Sequence, residues 1–188
     1  MSAVSMEPIT GASPRFKARI AGVFYLITFV TGVFALVSAS GRLVANLIAT
    51  VCYVAVTFLF YGLFKRVNRS LSLLAAFVSL VGCAVGVVSM FHLARFNINN
   101  LVFFGFYCLL IGYLIVRSTF LPRILGVLMA IGGLGWLTFI SPPLAQHLSP
   151  YHMAPGILGE GVLTVWLLVV GVNEQRWREQ ASTASIVR

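Results

Sequence analysis

The chain has 188 residues, of which 60% are apolar and only 9% charged, with mean hydropathy +0.99. A soluble domain runs nearer 45–50% apolar and about 25% charged, so soluble, disordered and fibrous classes are excluded and an all-α, polytopic membrane bundle remains. The net charge of +9 does not call for nucleic acid, because cationic residues flanking spans set orientation and meet anionic headgroups.

In chain order, a polar tail (1–14) precedes a transmembrane domain (15–173), and a second polar tail (174–188) follows it. Six apolar runs lie near 20–39, 43–64, 71–94, 101–117, 124–141 and 153–172, each close to the ~20 residues that cross a bilayer. The links carry turn and polar residues, and Pro122 and Pro142-Pro143 mark breaks because proline removes a donor and clashes inside a helix. If six spans alternate, Arg15, Lys17, Arg19, Lys65, Arg66, Arg69, Arg117, Arg123, Arg176, Arg178 and Arg188 share one side. Arg42 and Arg95 fall on the other. This split predicts six transmembrane helices with cytoplasmic N- and C-termini, in a bacterial inner membrane. Val37-Ser38-Ala39 has the form of a signal-peptide cleavage site, but the apolar run before it is longer than a signal's h-region, so a retained span is expected. No internal repeat supports an inverted-repeat transporter.

Small and polar residues should line the helix contacts, since lipid supplies no hydrophobic drive between helices. Span three carries Ala75, Ala76, Ser79, Gly82, Cys83, Gly86 and Ser89 on one face. Span four offers Gly105, Cys108 and Gly112, and span five Gly126, Ala130 and Gly133. Span two has the stripe Asn46, Thr50, Tyr53, Thr57 and Tyr61, and span one Tyr25, Thr28 and Gly32. Most such stripes are helix–helix glue; the sharper alternative is a polar pocket or path.

The chain contains no Asp and four Glu. Aspartate-rich diphosphate sites and aspartic-protease dyads therefore cannot be built, and the paired carboxylates of glycosidases are missing too. Cys52, Cys83 and Cys108 sit singly in apolar runs. A Cu(I) cluster is conceivable, but isolated membrane cysteines are usually packing residues, and no metal or cofactor is expected. Glu160 alone among the acids lies inside an apolar run, in Gly159-Glu160-Gly161. A carboxylate there costs several kcal/mol if ionised and unpaired, so it is a candidate functional residue. Gly156 and Thr164, one turn either side, give it a small, polar face. His92, Asn46, Arg42 and Arg95 fall toward the same end, and with Glu160 they suggest a ligand-binding cleft open to the outside. Its cationic rim would suit an anionic headgroup or acidic small molecule. His147 and His152 read as solvated loop residues.

Arg19 to Leu26, Val67-Asn68-Arg69-Ser70-Leu71, Gly112-Tyr113-Leu114-Ile115, Ser118 to Gly126, and Gly159-Glu160 with Trp166-Leu167 together resemble the bacterial membrane family DUF4386, a domain of unknown function. The resemblance spans about residues 15–175 and centres on Phe120-Leu121-Pro122-Arg123-Ile124-Leu125-Gly126. It implies a six-helix inner-membrane protein and no stated activity. It also implies a basic residue near Ser79 in span three, which this chain lacks, leaving Glu160 to find another partner. The function read from these features is binding or passing a small amphiphilic or anionic molecule. The alternatives are a compact lipid or isoprenoid enzyme with Glu160 as acid/base and His92 as its partner, or an accessory subunit in which Glu160 pairs within a membrane-protein complex.

Overall fold

The computed structural model describes residues 13–93, 99–149 and 151–186. They form α1 (Pro14–Val37), α2 (Arg42–Phe64), α3 (Arg69–Met90), α4 (Leu101–Arg117), α5 (Arg123–Leu137), a short α6 (Pro142–His147), α7 (Ala154–Val169) and α8 (Glu174–Ile186), with no strand among the described residues. Among the described residues five segments are long and apolar enough to cross a membrane: α1, α2, α3, α5 with its 3-10 extension to Ile140, and α7 from Tyr151. The fourth run, Leu101–Arg117, is shorter at 17 residues, or about 26 Å at 1.5 Å per residue against a hydrocarbon core of about 30 Å.

The helix ends follow from local chemistry. Ser13 accepts from Phe16 N at 3.1 Å with Pro14 in the first turn, so α1 starts well before residue 20. Asn68 caps α3 in the same way through Leu71 N at 3.0 Å. That helix stops at Met90, and His92 takes a left-handed backbone (φ 53°). Pro122 stands just outside α5 in extended backbone, with its carbonyl accepting from Leu125 N. Gly171, at φ 75°, ends the chain's run out of α7.

Consecutive helices pack side by side, and α7 packs against both α5 and α1, which closes α1–α5 and α7 into a ring. Helices α4 and α5 approach to backbone contact. A Cβ on Gly112 would lie 2.7 Å from Gly126 O, and one on Gly133 would lie 2.7 Å from Gly105 O. The two glycine pairs are spaced seven residues apart on each helix and run antiparallel, so two turns of each backbone meet directly. The α3 face is buried as its pattern predicts from Ala75 to Gly86, whereas Ser89 is exposed.

Within the polar segment after the last span, Glu174–Ile186 forms helix α8. It is tied down by Trp177, whose Nε1 donates to Leu63 O at 3.1 Å beside the Arg66 guanidinium, and by Gln180, whose Oε1 accepts from Thr119 N at 3.1 Å. Residues 1–12 lie outside the described region.

Gly133→Leu should destabilise the fold by about 1–3 kcal/mol through overpacking. Gly62→Ala, where nothing lies within 4 Å of the added carbon, should be neutral or slightly stabilising. Heating in detergent, followed by dye labelling of the buried Cys52, Cys83 and Cys108, reads both.

Candidate functional site

Glu160 is 5% exposed on the inner face of α7, and its carboxyl is held from two neighbouring helices. Tyr25 of α1 donates its hydroxyl to Oε2. Trp136 of α5 donates its indole N–H to Oε1 at 2.5 Å. The Cys108 thiol of α4 stands near the same group. The local sequence makes this possible: a Cβ at Gly156 would overlap the Trp136 indole, and Gly159 and Gly132 let α5 and α7 approach closely. The small face around Glu160 thus admits a tryptophan from the neighbouring helix. Thr164 returns its hydroxyl to Glu160 O at 2.8 Å.

From Tyr25 the polar interior continues across the ring. The Tyr25 and Tyr53 rings meet edge-on at 5.6 Å, and Tyr53 and Tyr107 at 5.8 Å. Thr57 and Ser79 hydroxyls are 2.6 Å apart, with both side chains fully buried. The Tyr53 and Tyr107 hydroxyls are buried without a partner at standard hydrogen-bond geometry among the described residues; their polar neighbours are Tyr25 and Thr57 respectively. Tyr53 also forms a wall of a cavity of about 120 Å³ at the Arg42 end, lined by Thr28, Asn46, Thr50 and Asn100 with Cys83, Met90 and Phe104.

Of the five residues read from the sequence as a cleft, the structure brings Glu160 and Asn46 into one polar interior, with Tyr25 and Tyr53 between them. Arg42 is exposed and donates its Nε to Ala35 O at 3.2 Å, closing the α1–α2 turn instead of rimming the cavity. His92 is exposed beyond the end of α3 and has no contact with Glu160. Its left-handed backbone turns the chain off the helix before the side chain can enter the interior. Arg95 lies outside the described residues.

The sequence reading missed Trp136, which no polar stripe contains, and His152. That histidine, expected to be solvated, is 8% exposed, and neither ring nitrogen has a hydrogen-bond partner among the described residues. It packs on Phe139 at 4.8 Å, and Phe139 stacks on Trp136. The short helices Thr138–Ile140, Pro142–His147 and Tyr151–Met153 fold over the end of the ring and bury it. No group of three or more potential metal ligands occurs among the described residues.

The DUF4386 profile, described as a domain of unknown function, matches residues 40–100 and 95–171. The chain belongs to the DUF4386 family. The matched stretches contain Asn46, Tyr53, Cys108, Trp136 and Glu160, while Tyr25 lies N-terminal to them. An uncharacterised protein of Archaeoglobus fulgidus is 28% identical to this DUF4386 member over 127 residues, which is 63% of this chain and 76% of the relative. No solved structure matches.

Because Tyr25 and Trp136 serve one carboxyl, their losses should not add. Trp136→Phe and Tyr25→Phe should each cost about 1–3 kcal/mol by leaving a buried acceptor short of a donor. The double variant should depart from additivity by at least about 0.5 kcal/mol, measured as a thermodynamic cycle in detergent.

Proposed function

We propose that this protein is a non-catalytic, six-span inner-membrane protein that binds or passes a small amphiphilic or anionic molecule, whose polar end enters at the Arg42 end of the bundle. The observation that carries the reading is the buried Tyr53 hydroxyl, short of a partner, on a side chain that also lines a polar cavity. An unsatisfied buried hydroxyl costs about 1–3 kcal/mol, and a ligand group or ordered water that entered past Asn46, Thr50 and Asn100 far enough to reach it would recover that cost. At about 120 Å³ the cavity is well below the roughly 300 Å³ of a whole small-molecule pocket. It suits the polar end of an amphiphile with its tail left in lipid. Glu160 stands beyond Tyr53 and Tyr25, so a conformational change that turns both rings would join the carboxyl to the cavity.

Binding is favoured over acid–base catalysis because both Glu160 oxygens already accept hydrogen bonds and His92 stands apart. It is favoured over pairing in a complex because the partners of Glu160 come from its own chain. Six alternating spans with both termini cytoplasmic follow from the distribution of Lys and Arg, α4 spanning by local thinning of the bilayer or snorkelling at its ends.

Native mass spectrometry of protein released in mild detergent, wild type beside Tyr53→Phe and Glu160→Gln, tests the ligand. A discrete adduct retained by wild type and lost in Tyr53→Phe at unchanged thermal stability is the expected result. No adduct in any form, with Glu160→Gln merely less stable, would sink the binding reading and leave a structural hub. For topology, reporter fusions in the 118–123 link and after residue 188 should report the cytoplasm, and a fusion at Ser40 the opposite side.

A further inference from the structure

At the opposite end of the bundle from Asn46, a second and larger cavity of about 570 Å³ is lined by Arg15, Thr119, Phe120, Leu121, Pro122, Trp166, Val170, Gly171, Val172, Asn173, Glu174 and Arg176. Its cationic character has a structural origin. The last carbonyls of α7 lack intrahelical donors, and α1 supplies them: Arg15 Nε donates to Val170 O at 3.2 Å and Arg19 to Val169 O at 3.3 Å. Arg15 is thereby fixed across the mouth of the cavity with its terminal nitrogens left over. Gly171 permits this twice, by its positive φ and because a Cβ would press on the Arg15 stem at 3.0 Å. Arg176 faces the same space from α8 and has no ion pair among the described residues, while the one carboxylate on the rim, Glu174, is 3.9 Å from Arg178.

This cavity does not end at the polar rim. Trp166 and Val170 also belong to an apolar groove of about 490 Å³ on the outward face of α7, completed by Ile157, Leu158, Gly161, Val162, Val165 and Val169. From Val170 to Ile157 it runs about 20 Å at 1.5 Å per residue, enough to cover one leaflet's half of a core about 30 Å thick. Gly161 forms its notch, with nothing within 4 Å of a Cβ placed there. A cationic pocket continuous with an apolar groove of leaflet length matches one kind of molecule.

We infer that this is a binding site for an anionic phospholipid of the surrounding bilayer, its phosphate between Arg15 and Arg176 and one acyl chain along the α7 groove past Gly161. Arg15 and Arg176 supply charge-assisted donors to the phosphate, and Trp166 sits where headgroup and chain meet, the depth its amphipathic ring favours. The lipid would brace α1, α7 and α8 together. The site is separate from the Asn46 cavity, so either proposal can fail alone.

The test is native mass spectrometry of the full chain titrated in detergent with phosphatidylglycerol or phosphatidylcholine, alone and against excess inorganic phosphate. Phosphatidylglycerol should be retained in preference to phosphatidylcholine and should not be displaced by phosphate. Arg176→Gln should weaken its retention about fivefold, the effect of one cation at a membrane surface. Gly161→Leu, which fills the groove without meeting the fold, should weaken it by a similar factor. Arg69→Gln, exposed at the start of α3 and off the cavity lining, should leave retention unchanged. Equal retention of the two lipids, displacement by phosphate, undiminished binding in both Arg176→Gln and Gly161→Leu, or a lipid-free dimer in place of the adduct would each overturn the inference.

Discussion

A carboxyl group buried in a bundle without Asp or Lys partners needs donors from its own chain, and much of this structure follows from how Glu160 finds them. A hydroxyl from α1 and an indole N–H from α5 converge on its two oxygens. Those helices flank α7 on either side in the ring, so the bonds act as a clasp where the N-terminal helix meets the last span. Leaving a buried acceptor without its donor costs about 1–3 kcal/mol. In a setting where apolar side chains are equally at home in lipid, that polar closure specifies which helix faces inward.

Glycine does the complementary work. Facing pairs at Gly105–Gly133 and Gly112–Gly126 bring α4 and α5 to backbone contact, and Gly132, Gly156 and Gly159 do the same for α5 and α7. The result is that α5 sits close enough to project Trp136 across Gly156 to Glu160. Packing and polar satisfaction are therefore one arrangement: a side chain at Gly156 would displace the donor on which the buried carboxyl depends.

The two ends of the bundle differ in chemistry. Toward Arg42 there is a small cavity of uncharged polar groups leading through Tyr53 and Tyr25 to Glu160. Toward Arg15 there is a larger cationic cavity that runs into an apolar groove. Arginine takes unlike roles at the two ends. Arg42 closes a turn through Ala35 O, whereas Arg15 serves the open carbonyls of α7 and still fronts a cavity. Charge sign alone would have made them equivalent.

Composition determined that the described residues form apolar helices, most of them long enough to cross a membrane, because no soluble fold has enough interior for so much apolar surface. The periodic placement of small residues determined which faces of α3, α4 and α5 turn inward, since only those positions allow close backbone approach. The isolation of Glu160 among apolar residues marked it as the residue in need of partners. What sequence could not decide was which partners meet, because that depends on helix order around the ring and on rotation about each axis. Trp136 joined Glu160 through Gly156 on another helix, His92 was turned away by a left-handed residue at a helix end, and His152 was buried by the folding of a loop. Each is a contact between segments distant in sequence or set by a local break in the helix, and only the tertiary structure fixes such contacts.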